Sequence, residues 1–366
     1  MRFDRRLLTH FEWLLPLLVI SVSGLGIMCV YSASHTPDVV GLPTSAARQL
    51  TWFGVGVVVM LLMVSFDYRR LDRRAYLIYA GVIFLLIAVE LVGEVGGGSR
   101  RWLRLGPVSI QPSEFAKLST VIVLAHYFSR TAPARLGPRE MVFPLILTLI
   151  PAALILVQPD LGSAALLVAV SITMMIMGGV RLRWLALLAS PLVAAAPILW
   201  THLKEYQQKR ILMFLDPAQD PLGAGYHIIQ SKIAVGSGQL WGKGFLKGTQ
   251  NHLNFLPEQH TDFIFSVFSE EWGFVGAATL MGLYLAVLLR GMLIASRARD
   301  RFGLMVALGV SATIFWQVAV NVGMTTGLLP VVGITLPFFS YGGSSLLCLL
   351  AGVGLVMSVS TRRFTF

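Results

Sequence analysis

From Phe302 to Thr361 the chain carries no Asp, Glu, Lys or Arg, a run of 60 residues. Water does not solvate such a stretch in a folded domain, whereas a bilayer core takes roughly 20 apolar residues per helix. The run is too long for one helix. It suits two, joined by an apolar outer loop, Thr326 to Ser340, that holds Pro330 and Pro337. The rest of the chain has the same character: 55% of its 366 residues are apolar and 13% charged, against roughly 25% charged in a soluble domain. That composition excludes a disordered chain and a conventional soluble enzyme. Uncharged or nearly uncharged stretches of span length fall near 12–33, 47–66, 74–93, 113–129, 141–158, 161–179, 184–201, 263–289, 303–325 and 341–360. The expected fold class is an all-α polytopic membrane protein with ten transmembrane helices. It forms one domain over 1–366, with a single large extracytoplasmic loop, 202–262, between spans 7 and 8. The least apolar of these spans is 113–129, which contains Glu114 and Lys117.

Arg2, Arg5 and Arg6 ahead of an apolar run look like the start of a signal peptide. The uncharged stretch from Trp13 to Pro37 exceeds the 7–15 residues of a signal core, so an uncleaved first span is expected. Lys and Arg set the orientation. With the N-terminus inside, 18 of the 29 fall in inner segments, from Arg69–Arg70 and Arg73–Arg74 to Arg362–Arg363. The short outer loops hold Arg48, Arg100, Arg101 and Arg104, with Lys117 at a helix start. Both termini are therefore expected in the cytoplasm. The net charge of +11 reads as topology and contact with anionic lipids, not as nucleic-acid binding. Cys29 and Cys348 lie inside apolar runs, so no disulfide framework is expected.

A charge within a membrane helix costs on the order of 2.5–3.5 kcal/mol, so charges near spans need a reason. Here they collect on the outer side. Arg100-Arg101-Trp102 is followed by Gln111-Pro112-Ser113-Glu114 and Lys117. Ser113 is expected to cap the helix, with Glu114 in its first turn. Glu114 and Lys117 share a face at i, i+3, either as an interfacial ion pair or with Arg101 as a cationic pocket for an anionic lipid head group. Asp160, in Gln158-Pro159-Asp160-Leu161-Gly162-Ser163, either caps the sixth span, holds a cation, or pairs with Arg101 or Lys117.

The outer loop is about 61 residues long, too long for a simple connector. Tyr226, Ile229 and Ile233 recur at helical spacing, which predicts a short helix on the membrane surface. The loop ends in Leu256-Pro257-Glu258-Gln259-His260-Thr261-Asp262. Asp262 stands where the chain enters the eighth span. Low dielectric there raises the basicity of a carboxylate, which suits a general base. His252, Glu258, His260 and Asp262 have no recognised zinc spacing. Two turns further in, at least one of Glu270 and Glu271 is expected to face the bundle interior.

These runs resemble the SEDS family (shape, elongation, division and sporulation). The matching segments are Arg101-Trp102, Gln111-Pro112-Ser113-Glu114 with Lys117, Gln158 to Ser163, Gly223 to Ile233, Leu256 to Phe265 and Pro337 with Ser340-Tyr341-Gly342-Gly343-Ser344. They occur in order over nearly the whole chain. The short tails and the wording from Gly248 to His260 resemble the elongation-type members more than the division-type ones. Ser163 stands where Thr is frequent in the family, and both carry a hydroxyl.

The resemblance implies a peptidoglycan glycosyltransferase of the bacterial cytoplasmic membrane with its site on the outer side. Such an enzyme polymerises lipid II, an undecaprenyl-pyrophosphate-linked disaccharide-pentapeptide, into a nascent glycan strand. It also implies a class B penicillin-binding protein partner whose membrane helix packs on spans 8 and 9, beside other membrane proteins of the elongation complex. Asp262 matches the family's catalytic aspartate and is expected to be the base. Arg101 and Lys117, with Glu114, are expected to serve the chemistry by neutralising the leaving pyrophosphate. A divalent cation, Mg or Mn, is expected as an optional aid near Asp160. Arg210 is expected to contact phosphate. Asp160, Trp102, Gln111, Ser113, His260, Lys232 and Ser340 are expected to line the substrate site. Two other classes compete: a lipid II transporter, whose sites would lie at the midplane, and a non-catalytic scaffold that activates the penicillin-binding protein.

Overall fold

The computed structural model describes residues 12–35, 41–96, 99–106, 108–131, 137–195, 225–249 and 260–363, with isolated positions 200, 201, 208 and 212. Each of the ten apolar stretches contains a helix. These are α1 (Leu14–Ser34), α2 (Thr44–Ser65), α3 (Arg69–Val92), α4 (Pro112–Arg130), α5 (Pro138–Val157), α6 (Leu161–Met177), α7 (Leu182–Ala194), α9 (Ile264–Ser296), α10 (Arg301–Thr325) and α11 (Gly343–Thr361). Among the described residues, seven are long and apolar enough to cross a membrane: α1, α2, α3, α5, α9, α10 and α11. α8 (Tyr226–Ser237) is the helix expected in the large loop.

The fold is all-α as expected, with one small sheet beside the helices. Between α3 and α4 the chain forms a three-stranded antiparallel sheet of β1 (Glu94–Gly96), β2 (Ser99–Leu105) and β3 (Val108–Ile110). Arg101 and Trp102 lie on its central strand, with Trp102 opposite Glu94. Arg100, Arg101 and Arg104 interrupt the apolar alternation of this segment, which hid the strand from a hydropathy reading.

α4, α10 and α11 form the centre, with most of their side chains buried. α2 and α3 present Val58, Leu62, Phe84 and Leu91 outward, an exposed apolar surface suited to lipid. α2 and α11 approach through glycine: a Cβ on Gly354 would lie 2.5 Å from the Met60 carbonyl oxygen. Without a hydrophobic drive between helices in lipid, small residues permit such close packing.

Two helix faults are repaired by distant groups, as the bilayer requires. Pro151 in α5 has no N–H to offer the Leu147 carbonyl, and the Tyr79 hydroxyl donates to that carbonyl instead at 3.0 Å. α9 breaks at Gly273, whose φ of 65° is left-handed. Segment 239–244 fills the break. Lys243 and Gly244 donate their amides to the Glu270 and Glu271 carbonyls at 3.0 Å each, while Phe274 and Val275 donate to Gln239 and Leu240 at 2.8 and 3.1 Å. Residues 239–244 of the large loop are thus part of the packed structure.

Candidate active site

The apolar connection between α10 and α11, residues 326–342, dips back into the bundle and organises the outer surface. Ile334, Leu336, Phe338 and Phe339 are buried. Irregular backbone at this depth requires protein partners, and three helices and the loop itself supply them. Tyr284 of α9 donates to the Pro337 carbonyl at 2.5 Å. Gln49 of α2 donates to the Ser340 carbonyl at 3.0 Å. The Ser340 hydroxyl accepts the Leu336 amide at 2.8 Å. Asn321 of α10 donates to the Ile334 carbonyl at 2.7 Å.

This loop collects the chemistry-bearing residues. Asn321 Nδ2 also donates to the Asp262 carbonyl at 3.0 Å, so one amide group ties the start of α9 to the loop. A Cβ on Gly333, whose φ is 72°, would lie 3.4 Å from an Asp262 carboxylate oxygen. One residue earlier, the Val332 carbonyl rests against Gly162, leaving no room there for a Cβ. The Asp160 turn and the Asp262 carboxylate therefore meet consecutive residues of the same loop. Lys232 of α8 lies over Gly327, nearer the start of the loop. On α8 the His227 ring packs 6.5 Å from the Phe263 ring, next to Asp262, and burial pushes its imidazole below the ordinary range.

Asp160 caps α6, accepting the Ser163 amide at 3.0 Å, and takes Gln111 Nε2 at 3.3 Å on its other oxygen. Arg101 donates its Nε to the Gln158 carbonyl at 3.0 Å and an Nη to the Pro159 carbonyl, which fastens β2 to that turn. Glu114 and Lys117 form an ion pair at 2.7 Å with both side chains buried within the protein. Arg101 is thus held by backbone carbonyls and Lys117 by a carboxylate, each by its own partner. Ser113 is not the cap of α4: the cap position is Gln111, and the Ser113 hydroxyl is buried without a partner. Ser344 binds both sides of that junction, accepting the Gln111 amide at 3.2 Å and donating to the Ser109 carbonyl at 3.3 Å.

The His260 carbonyl accepts the Tyr341 amide at 2.9 Å, and the two rings lie 5.5 Å apart. Trp102 stays on β2, half-buried. The stripe Tyr226, Ile229, Ile233 stays at least partly exposed on α8. Ile228, Ser231 and Ala234 are buried instead. The Ser231 hydroxyl lies 2.7 Å from that of Ser266 and donates to the Thr325 carbonyl at 2.6 Å, so α8 rests on the ends of α9 and α10. Both Glu270 and Glu271 are buried, as the cost of lipid exposure requires. Glu270 pairs with Lys243 at 2.6 Å and Glu271 accepts from Ser32. Arg210, His252 and Glu258 lie outside the described residues. Among the described residues no three His, Cys, Asp or Glu side chains cluster as metal ligands.

Sequence reasoning missed Asn321, Gln49, Gly333 and His227. The first two are lone uncharged amides in apolar helices, and a polar side chain in a span is itself a signal of an internal partner.

Residues 12–364 match the FtsW/RodA/SpoVE family of cell cycle proteins. The peptidoglycan glycosyltransferase MrdB of Escherichia coli is 41% identical over 356 residues, 97% of this chain and 94% of that protein. A chain from a peptidoglycan synthase complex that coordinates polymerization and crosslinking superposes with a TM-score of 0.81 at 35% identity, covering 97% of this chain and 99% of its own. The rod shape determining protein RodA of Thermus thermophilus superposes with a TM-score of 0.73 at 32% identity, with 97% and 98% covered. The chain belongs to this family. It is a multi-pass protein of the bacterial cytoplasmic membrane.

Proposed function

We propose that this chain, a peptidoglycan glycosyltransferase of that family, polymerises lipid II on the outer face of the membrane with Asp262 as general base. A donor sugar α-linked to pyrophosphate gives a β-1,4 glycan by a single displacement, which inverts the anomeric centre. That step needs one base to take the proton of the acceptor 4-hydroxyl. A glycosidase needs a second carboxyl to protonate a poor leaving alcohol; pyrophosphate leaves readily and needs its charge neutralised. The observation that carries this reading is the lodging of the Asp262 carboxylate against Gly333, its backbone pinned by Asn321 and the Asp160 turn one loop residue away.

Lys232 and Arg210 would meet the pyrophosphate, and Arg101 would hold the Asp160 turn in register. The buried Glu114–Lys117 pair would set the field beneath Gln111 and Ser113. Trp102, His260 and Ser340 would shape the walls. Asp160 would hold a divalent cation, whose chemistry is further neutralisation of phosphate charge. The excess of Lys and Arg in the inner segments supports ten spans with both termini cytoplasmic, α4, α6 and α7 crossing beside the seven strongly apolar helices. The family resemblance supports a class B penicillin-binding protein seated on α9 and α10, within an elongation complex.

The test is polymerisation of fluorescent lipid II by the purified protein with such a partner, moenomycin silencing contaminating polymerases. General base catalysis is worth roughly 10²–10⁴-fold, so Asp262→Asn should lose the glycan ladder by at least that lower factor while its thermal unfolding stays unchanged. A normal ladder from Asp262→Asn refutes the base. No ladder from the wild type shifts the reading to transport or scaffolding.

A further inference from the structure

Gln317 lies within α10, fully buried, and neither its Oε1 nor its Nε2 has a partner among the described residues. On α4, Glu114 gives one carboxylate oxygen to Lys117, while the other, Oε2, is buried and likewise unpartnered among the described residues. Both side chains line one cavity of about 20 Å³ between α4, α10 and α11, which Lys117, Thr313, Cys348 and Gly352 also wall. Buried polar groups in folded proteins are hydrogen-bonded, to protein or to ordered water. A buried water needs roughly 10–15 Å³ and two to four polar partners, and this cavity offers both. Glu114 Oε2 accepts one O–H, and Gln317 Nε2 donates to the water oxygen. Thr313 Oγ1, whose own hydrogen goes to the Gly309 carbonyl at 2.9 Å, keeps a lone pair for the second O–H. The Lys117 ammonium in the same wall opposes a cation and the Glu114 carboxylate opposes an anion. A neutral dipole of water size fits the site.

The position of Gln317 on α10 links this cavity to the reaction. Gln317 and Asn321 are four residues apart, so they share a helix face one turn from each other. Asn321 Nδ2 holds the Asp262 and Ile334 carbonyls at 3.0 and 2.7 Å. Two turns before Gln317, α10 meets α4 through apolar groups: a Cβ on Gly309 would lie 2.5 Å from Val121 Cγ1. Apolar contact is non-directional and tolerates a small slide of one helix along the other. A hydrogen bond in a low-dielectric interior is directional and strong. A polar bridge at Gln317 therefore sets the height of α10 against α4, and with it the height of Asn321 and of the Asp262 backbone.

We propose that Glu114 and Gln317 hold one buried water between α4 and α10, and that through it Gln317 is a positioning residue for Asp262. The positioning role rests on the reading of Asp262 as the base; the water site does not.

The first measurement is a high-resolution structure of the full-length wild type and of Gln317→Met, which keeps the side-chain length and removes both polar atoms. The wild type should show one density peak about 2.7–3.2 Å from both Glu114 Oε2 and the Gln317 amide, and Gln317→Met should lose it. A peak with oxygen neighbours at about 2.0–2.6 Å is a metal cation and overturns the proposal. A direct Glu114–Gln317 hydrogen bond with no peak between them overturns it too. The second measurement is the lipid II polymerisation rate with the partner protein, kcat and KM taken together. A 1 Å shift of a catalytic group lowers rates by about 10²-fold, so Gln317→Met, acting one turn from Asn321, should lower kcat roughly tenfold with KM within about twofold. Gln317→Asn keeps an amide in a cavity one methylene wider, where water still bridges, and should recover most of that kcat. An unchanged kcat in Gln317→Met overturns the positioning role. A loss that Gln317→Asn does not recover assigns Gln317 to packing and overturns it as well. If Gln317→Met does not fold, the wild-type density and the Gln317→Asn kinetics decide. A normal ladder from Asp262→Asn fails the base reading, a separate result that leaves the density test of the water standing.

Discussion

Replacing Asn321 with leucine removes a side-chain amide that ties the Asp262 backbone to the loop beneath it. Leucine has nearly the same volume, so packing is conserved while both Nδ2 hydrogen bonds are lost, 3.0 Å to the Asp262 carbonyl and 2.7 Å to the Ile334 carbonyl. Asn321 is fully buried, so water does not replace it without rearrangement. Each buried acceptor left unsatisfied costs about 1–3 kcal/mol, which puts about 2–6 kcal/mol against the native register of these two strands of chain. The strands relieve that cost by parting. A displacement of about 1 Å in a catalytic group lowers rates by about 10²-fold, equivalent to about 2.7 kcal/mol of transition-state energy. The two routes agree, and the expected result is a fall of about a hundredfold in kcat. KM should move much less, because Asn321 is fully buried and acts on the site through the Asp262 and Ile334 backbone carbonyls. The assay is the lipid II polymerisation rate over a range of substrate concentrations, with thermal unfolding measured in parallel. A kcat within about threefold of wild type refutes the positioning argument, and a matched rise in KM at constant kcat would assign Asn321 to uniform binding instead.

Two further outcomes follow from buried charge and backbone. Lys117→Met strands the Glu114 carboxylate, whose second oxygen already lacks a partner, and should destabilise the protein by about 3–5 kcal/mol; adding Glu114→Gln should recover most of that in thermal unfolding, and a single variant as stable as wild type would contradict a charged pair. Gly273→Ala places a Cβ against the Gly242 amide and 2.7 Å from the Leu240 carbonyl oxygen at a φ of 65°, so segment 239–244 should detach from the break in α9 and become the first site of limited proteolysis; cleavage no faster than in wild type would show that the break tolerates a side chain.

How far the site could be read from sequence depended on the kind of interaction. The Asp160 cap is local, spanning three residues to Ser163, and the cap motif announces it. The Glu114–Lys117 pair is also local, three residues apart on one helix face; its depth was not legible, because burial depends on which helices crowd around α4. Ser113 misled for a related reason: a hydroxyl after proline fits the capping pattern, yet the cap position fell to Gln111 and Ser113 turned inward. On α8 the periodicity marks Tyr226, Ile229 and Ile233, which stay at least partly exposed, while only tertiary contact shows that Ile228, Ser231 and Ala234 face α9 and α10.

By itself the sequence determined that the chain lives in a bilayer, where its apolar stretches lie and on which side its basic residues collect. Those follow from the transfer cost of each residue, which needs no partner. Tertiary structure alone decided how Asp262 is held. Its tie to Asn321 spans 59 residues, and the Gln49 tie that holds the far end of the same loop spans 291. Single uncharged amides inside apolar runs make both, and their meaning appears only once the helices bring donor and carbonyl together in a medium without water to serve either.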